Sequence, residues 1–327
     1  MAISGLVGAG SGGSGEAAEA VRRARESAAL ARHPDFDGRA VVSVASHAEP
    51  RVPLVFNAPH SGADYPAEFR SQSRLDPMQL RRSEDAFVDE LFAGVVALGA
   101  PLLSAHFPRA WLDVNREPYE LDPRMFEGPL PPYANIRSVR VAGGLGTVPR
   151  LVAEGRDIYR ARMPVAEALG RIERVYKPYH AALRALVDGA RGAFGHAVLI
   201  DCHSMPSAVR DIEGGTRPDF VLGDRFGTSA SRGLTDLAAD LLRRRGFAVT
   251  RNRPYAGGFI TEHYGRPARR VHALQIEINR ALYMNEASHT RSVGFGALAE
   301  ELMGFAADLM ARAEIAIAPA PFREAAE

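Results

Sequence analysis

Along most of the chain, short apolar runs alternate with longer segments whose apolar positions recur every three or four residues. The short runs Pro53–Ala58, Leu102–His106, Ala110–Val114, His196–Cys202, Phe247–Arg251 and Val271–Ile278 read as strands. The longer segments Met78–Leu98, Pro164–Ala190, Ser229–Arg245 and Phe295–Ala313 read as helices. In the second of these, Val165, Leu169, Ile172, Val175, Tyr176, Tyr179, Leu183 and Leu186 form one apolar face, and Pro178 predicts a kink or break near Tyr176. Strands alternating with helices make an α/β domain, and nothing resembling a linker divides residues 41–327. Residues 1–40 read as a separate flexible or peripheral segment: Gly/Ser/Ala-rich up to residue 16, then a weakly amphipathic helix over residues 16–32.

Several of these apolar runs end abruptly in polar clusters, and in open α/β sheets ligands bind where strands release their carboxyl ends into a crevice. "AVLIDCHSMPS" (197–207) is the sharpest case. Alternation puts Asp201 and His203 on one face and Cys202 on the other. Asp201 then suits a group that orients His203, since a metal-bound imidazole gives its second N–H to a carboxylate or carbonyl. Cys202 reads as a small packed hydrophobe rather than a nucleophile.

A second exit, "VFNAPHSGADYP", places His60 after a proline, where an exposed turn histidine is the competing reading. Two histidines at two strand ends suit a catalytic zinc, which takes three protein ligands and keeps a fourth position open. The third ligand should be a carboxylate: Glu84 and Asp85 at a helix start, or Asp64. Without the histidines, the acidic pair would simply complement a helix dipole. "WLDVNREP" supplies Asn115 and Arg116, and an arginine there can form a bidentate pair with a substrate carboxylate or a surface ion pair. In "LQIEINR", Gln275, Glu277 and Asn279 share a face opposite Leu274, Ile276 and Ile278. A glutamate in so apolar a strand is costly unless paired, for instance with Arg280, or functional. Beside an activated water it suits a general base.

The glycine-rich "VAGGLGTVPR" (141–150) lacks nucleotide-loop spacing and reads as a loop over a pocket, with Arg150 available to an anion. "RPYAGGFITEHYGRP" (253–267) is a second such loop, carrying Tyr255, Thr261, His263, Tyr264 and Arg266.

Bulk properties narrow the field. The 327-residue chain has a formal net charge of +1, which argues against nucleic acid or an anionic membrane as partner. One cysteine allows no internal disulfide and no cysteine cage for zinc, which fits a reducing compartment. No apolar run approaches the roughly 18 residues of a membrane span, and the N-terminus makes a poor secretory signal. The expected setting is cytoplasmic.

In order along the chain, "PHSG", "VNREPYELDPRMF", "GLGTVPR" with "IYR" following, "YKPYH", "DCHS", "GGFITEHYGRP" and "LQIEINRALYMNE" resemble the N-formylglutamate amidohydrolase family over about residues 50–290. The resemblance implies a three-layer α/β/α fold around a mixed sheet, like that of zinc carboxypeptidases and aspartoacylase-type deacylases, with one zinc at the strand ends. It implies His60 and His203 as metal ligands and Glu277 as the catalytic glutamate. It also implies Asn115 and Arg116 as a carboxylate clamp. Carboxypeptidases place a ligand glutamate three residues after the first histidine; here that position is Ala63. Asp85 takes the role by position, with Glu84 and Asp64 behind it.

The expected partner is a small N-acyl amino acid, and the expected reaction is hydrolysis of its amide by zinc-activated water, another divalent metal being the alternative. N-formylglutamate has two carboxylates, so a second cation is expected among Arg280, Arg150 and Arg266, with Tyr264 and Thr261 nearby in the substrate loop. Competing readings are a zinc hydrolase of other N-acyl amino acids or small peptides, a non-catalytic binding protein, and a cysteine hydrolase.

Overall fold

A computed structural model describes residues 11–152, 155–210 and 217–317. Seven strands form the main sheet: β1 (Val42–Ala45), β2 (Leu54–Ala58), β3 (Leu102–Ala105), β4 (Ala197–Met205), β5 (Phe220–Gly223), β6 (Val249–Arg251) and β7 (Val271–Asn279). Their spatial order is β1-β3-β2-β4-β7-β5-β6. The four central strands β3, β2, β4 and β7 run parallel, β1 is antiparallel to β3, and β5 is antiparallel to β7. The sheet is therefore mixed, and β2, β4 and β7 release their carboxyl ends at one edge.

The helices are α1 (Ser11–Leu30), α2 (Ala67–Gln72), α3 (Pro77–Arg81), α4 (Val88–Leu91), α5 (Val139–Ala142), α6 (Val165–Arg171), α7 (Lys177–Phe194), α8 (Arg232–Arg244), α9 (Phe259–Tyr264) and α10 (Phe295–Ile317). They cover both faces. Leu199 and Ala273 of the sheet pack with α1, α6 and α7, whereas Ile200, Cys202 and Ile276 pack with α4, α8 and α10. The result is the three-layer α/β/α sandwich. No helix among the described residues is long and apolar enough to cross a membrane.

Local chemistry explains the elements. Ser231 caps α8 by accepting from Leu234 N, and Leu234, Ala238, Leu241 and Leu242 bury its inner stripe. The break expected near Tyr176 is a π-helical stretch, Ile172–Tyr176, just before Pro178. Proline has no N–H to donate and its ring crowds the carbonyl four residues back; a widened turn removes that clash. Residues 1–10 lie outside the described residues; the helix predicted over 16–32 exists as α1, but it starts at Ser11, inside the stretch expected to be flexible, and ends at Leu30. It is peripheral in position and not in packing. Ala17, Ala20, Val21, Ala24 and Ala28 are buried. A Cβ at Gly189 of α7 would lie 2.0 Å from Ala20 Cβ, so only glycine permits this approach.

Three expected elements differ in the structure, and two strands are additional. The helix over Met78–Leu98 is broken between α3 and α4, where Phe87 takes a left-handed φ of 64°. The run Ala110–Val114 is a buried loop rather than a strand; Trp111, Leu112 and Val114 fill the core without pairing. In that loop Asn115 N donates to Asp113 Oδ1 in a two-residue turn. Two short strands, β1 and β5, were not expected. The strand expected from Phe247 starts at Val249.

His180 of α7 ties the Asn115 loop to this frame. Its Nε2 lies 2.9 Å from Val114 O and its Nδ1 lies 3.0 Å from Tyr264 Oη. Burial lowers its pKa from 6.5 to about 3. Between those values the unfolded chain binds a proton that the folded chain refuses, so stability falls as pH drops below 6.5. Chemical denaturation of His180→Gln between pH 7 and 4 should show a slope shallower by up to one proton than that of the parent chain.

Candidate active site

The register of β4 and β7 sets the polar cluster. His203 stands opposite Glu277, and Asp201 opposite Gln275, so all four share one face. Cys202 and Ile276 take the other face and pack in the core beneath α8 and α10. Burial drives the Cys202 thiol well above its ordinary pKa, and the Asp201 charge adds to this, so it is a poor nucleophile.

His60, two residues beyond β2, and Asp85, in the break between α3 and α4, come to the same point. His60 Nδ1 lies 3.2 Å from His203 Nδ1, Asp85 Oδ2 lies 2.9 Å from His203 Nδ1, and Asp85 Oδ2 lies 3.4 Å from His60 Nδ1. All three residues are buried. Ligand atoms about 2.0–2.2 Å from a tetrahedral zinc are roughly 3.3–3.6 Å apart, close to this triangle. Each imidazole also offers its outer nitrogen to a carboxylate: His60 Nε2 is 2.8 Å from Asp113 Oδ1, and His203 Nε2 is 2.9 Å from Asp201 Oδ2. That is the pattern of a metal-bound imidazole. The donor set fits a divalent cation. It is also the one His/Cys/Asp/Glu group with metal-ligand spacing among the described residues.

Charge reinforces the fit. Burial opposes ionisation of Asp85, yet hydrogen bonds from His203 and His60 override it and hold the carboxyl well below its usual range. Burial likewise opposes a charge on His203, but Asp201, Asp85 and Glu277 outweigh it and raise its pKa well above 6.5. The pocket wants a positive charge at this point.

Around it lies a cleft of about 520 Å³, lined by Asp85, Asn115, His203, Gln275 and Glu277 together with Arg82, Arg109, Arg116, Arg140 and Arg280. Five arginines against Asp85, Asp113 and Glu277 favour an anionic ligand. Burial pushes the Glu277 carboxyl up to about 7, with nearby Asp85 adding to the shift against the pull of His203. Gln275 Nε2 donates to Glu277 Oε1 at 2.7 Å, and Gln275 Oε1 accepts from Gly258 N at 2.8 Å. Asn115 Oδ1 accepts from Ile260 N at 2.7 Å, and its Nδ2 sits 3.2 Å from His203 Nε2. A Cβ at Gly258 would strike the Asn115 amide at 2.4 Å, so this loop must present glycine there.

The arginines divide by what they already hold. Arg116 donates from Nε to Leu145 O and from Nη1 to Asn115 O, both at 2.7 Å, and its Nη2 lies 3.4 Å from Asp113 Oδ2. Burial lowers its pKa to about 10, with Arg109 and Arg140 adding to the effect. Arg280 donates to Asp85 Oδ1 at 3.2 Å, to Glu84 O at 2.6 Å and to Ser204 Oγ at 3.1 Å, so it buttresses the Asp85 turn.

Other expected residues lie elsewhere. Arg150 is paired with Asp122 at 2.9 Å and Asp157 at 2.5 Å and does not line the cleft, although its neighbours Pro149 and Leu151 do. Arg266 is exposed and caps α9 through Glu262 O and Gly265 O. Tyr264 is buried against His180, and Thr261 Oγ1 is spent on Gly258 O. Asp64 pairs with Arg39, and Glu84 with Arg81 and His289. Arg109, Asp113, Arg140 and Asn57 were missed. Arg109 precedes and Asp113 lies within the run mistaken for a strand, and "DVNR" was legible only as far as Asn115 and Arg116.

A sequence model of the N-formylglutamate amidohydrolase family matches residues 52–284. The chain is 30% identical over 246 residues to an N-formylglutamate deformylase of Pseudomonas putida, covering 74% of this chain and 86% of that one. It is 31% identical over 239 residues to that of Pseudomonas aeruginosa, covering 72% and 84%. The crystal structure of N-formylglutamate amidohydrolase from Ralstonia eutropha JMP134 is 38% identical, with a TM-score of 0.77, over 83% of this chain and 99% of that one.

If His60, Asp85 and His203 form the cation site, His203→Ala and Asp85→Ala should each abolish stoichiometric binding of a divalent ion measured by elemental analysis. Asp64→Ala should leave it unchanged. Loss of binding in Asp64→Ala with retention in Asp85→Ala would reassign the third ligand.

Proposed function

Because this chain belongs to the N-formylglutamate amidohydrolase family, we propose that it hydrolyses N-formyl-L-glutamate to formate and L-glutamate. The convergence of His60, Asp85 and His203 beside Glu277 in an arginine-rich cleft carries this reading. His60 Nδ1, Asp85 Oδ2 and His203 Nδ1 would hold one divalent ion per chain. Zinc suits two imidazoles and a carboxylate best, with iron, cobalt or manganese as alternatives. When bound, such an ion supplies Lewis acidity for the formyl oxygen and acidifies a water.

The chain's own residues do the rest. Asn115 Nδ2 and Arg116 Nη2 bind the α-carboxylate. Among the described residues the ion pair of Arg140 is a 3.7 Å contact to Glu120, which suits it to take the side-chain carboxylate. Arg109, its Nε committed to Asp113 at 2.9 Å, turns its outer nitrogens to the oxygen that gains charge in the transition state. Glu277, with Oε1 held by Gln275, accepts a proton from water as the water oxygen bonds to the formyl carbon. It returns that proton to the departing nitrogen as the C–N bond breaks. One water enters, and formate and the amino acid leave.

Purified chain should release formate from N-formyl-L-glutamate faster than it cleaves N-acetylaspartate or a C-terminal dipeptide. Reversed preference would favour a deacylase or carboxypeptidase, and no turnover by metal-loaded protein would favour a binding protein. Glu277→Gln should lower kcat about 10²–10⁴-fold. Arg140→Ala should raise KM for N-formylglutamate about 10–100-fold, the size of a lost charge-assisted bond, while changing KM for N-formylalanine little. Cys202→Ala should keep full activity; its loss would revive the cysteine-hydrolase reading.

A further inference from the structure

Beneath His203, a chain of polar side chains runs away from the cleft into the core, and the hydrolytic steps above use none of it. Asp201 Oδ2 takes the outer nitrogen of His203, and Asp201 Oδ1 accepts from Asn57 Nδ2 at 2.8 Å. Asn57 Oδ1 in turn accepts from the Tyr179 hydroxyl of α7. Asn57, Asp201 and Tyr179 are each 0% exposed, and the tyrosine is part of the apolar core. Burying an amide, a carboxylate and a hydroxyl there costs free energy unless each atom is matched. Here each is matched in one direction only.

The direction follows from donor chemistry. A carboxylate only accepts, so Asn57 must turn its NH₂ toward Asp201 and its carbonyl toward Tyr179. The tyrosine hydroxyl is then the donor, which stops the amide from flipping. With Asp201 fixed as acceptor, Nε2 of His203 keeps a proton, so the nitrogen that would ligate a cation is Nδ1, which faces Asp85 and His60. Asn115 Nδ2, 3.2 Å from Nε2, can only donate and makes no hydrogen bond to that N–H. His60 reaches the same tautomer by a separate route. Its Nε2 faces Asp113, which accepts from Asn115 N at 2.8 Å and from Arg109 Nε at 2.9 Å.

We propose that Tyr179 and Asn57 are positioning residues that lock His203 in the Nε2–H tautomer and so set the affinity of this site for a divalent cation. The proposal rests on the metal reading of His60, Asp85 and His203 and is independent of which amide is cleaved. Partners of metal-binding histidines typically contribute about 10–100-fold to affinity. Asn57→Ala should weaken zinc binding at least tenfold, and Tyr179→Phe, which keeps the ring, by a smaller factor. Because the tyrosine acts through the amide, the double variant should bind zinc no more weakly than Asn57→Ala.

The test is zinc affinity by competition with a chromophoric chelator at fixed pH, with apo-protein melting followed in parallel. Turnover of both variants at subsaturating zinc should fall with affinity, and excess zinc should restore kcat with KM for the substrate unchanged. Parent-like zinc affinity in Tyr179→Phe overturns the proposal, and it does so even where Asn57→Ala fails to fold. Additive losses in the double variant, or a kcat deficit that excess zinc does not repair, also overturn it. A parent chain that binds no zinc overturns the metal reading itself. A chain that binds zinc through this relay but leaves N-formylglutamate intact overturns only the substrate.

Discussion

Placing Asp85, Asp113, Asp201 and Glu277 together at one end of an apolar sheet is unfavourable unless every charge finds a counter-charge or a donor. That requirement organises this molecule. Asp85 is satisfied by two imidazoles, Ser204 and Arg280; Asp113 by His60, Arg109 and a backbone N–H; Asp201 by His203 and Asn57. Only Glu277 is left with a neutral amide as its direct hydrogen-bond partner. Burial therefore shows in Glu277 as a raised pKa, whereas in Asp85 and Asp113 it is overridden. The group best suited to pick up and release a proton is the one the network leaves least stabilised as an anion.

The same accounting separates two zones of the cleft. Around His203 the balance is negative and favours a cation. Toward Leu145 and the α5 turn, Arg116 and Arg140 line the cleft close enough to repel, and burial makes Arg116 easier to deprotonate than a free guanidinium despite Asp113 and Glu120. A ligand with a neutral amide at one end and carboxylates at the other complements both zones at once. A neutral peptide amide with one carboxylate would leave part of the arginine charge unmatched.

How legible was this in the sequence? Period-two alternation was enough to put Asp201 and His203 on one face of their strand with Cys202 on the other, and Gln275 and Glu277 on one face of theirs, because alternation is a local property of a strand. That the two polar faces coincide follows only from the pairing register. The turn that delivers Asp85 was harder. Its apolar spacing continues that of a helix, and what breaks it is a left-handed Phe87, a conformation that residue type does not advertise. Ala110–Val114 looked like a strand because burial without pairing leaves the same apolar signature, so Arg109 and Asp113 were passed over. Arg150 and Arg266 were overvalued for the opposite reason. Each sits in a suggestive loop, but Arg150 is claimed by Asp122 and Asp157 and Arg266 by backbone carbonyls. Whether an arginine is free depends on partners distant in sequence as much as on its own motif.

The two histidines show how the fold divides one task. His60 sits on a loop and is oriented by groups from another loop, Arg109, Asp113 and Asn115. His203 sits inside a strand and is oriented through the core by Asp201, Asn57 and a helix tyrosine. Loop segments can shift as a ligand enters; a strand residue anchored through Tyr179 to α7 cannot move without disturbing the packed layer. Such an arrangement fixes one nitrogen of the site through the packed core, while His180 and the Asp113 turn hold the Asn115 loop that orients the other.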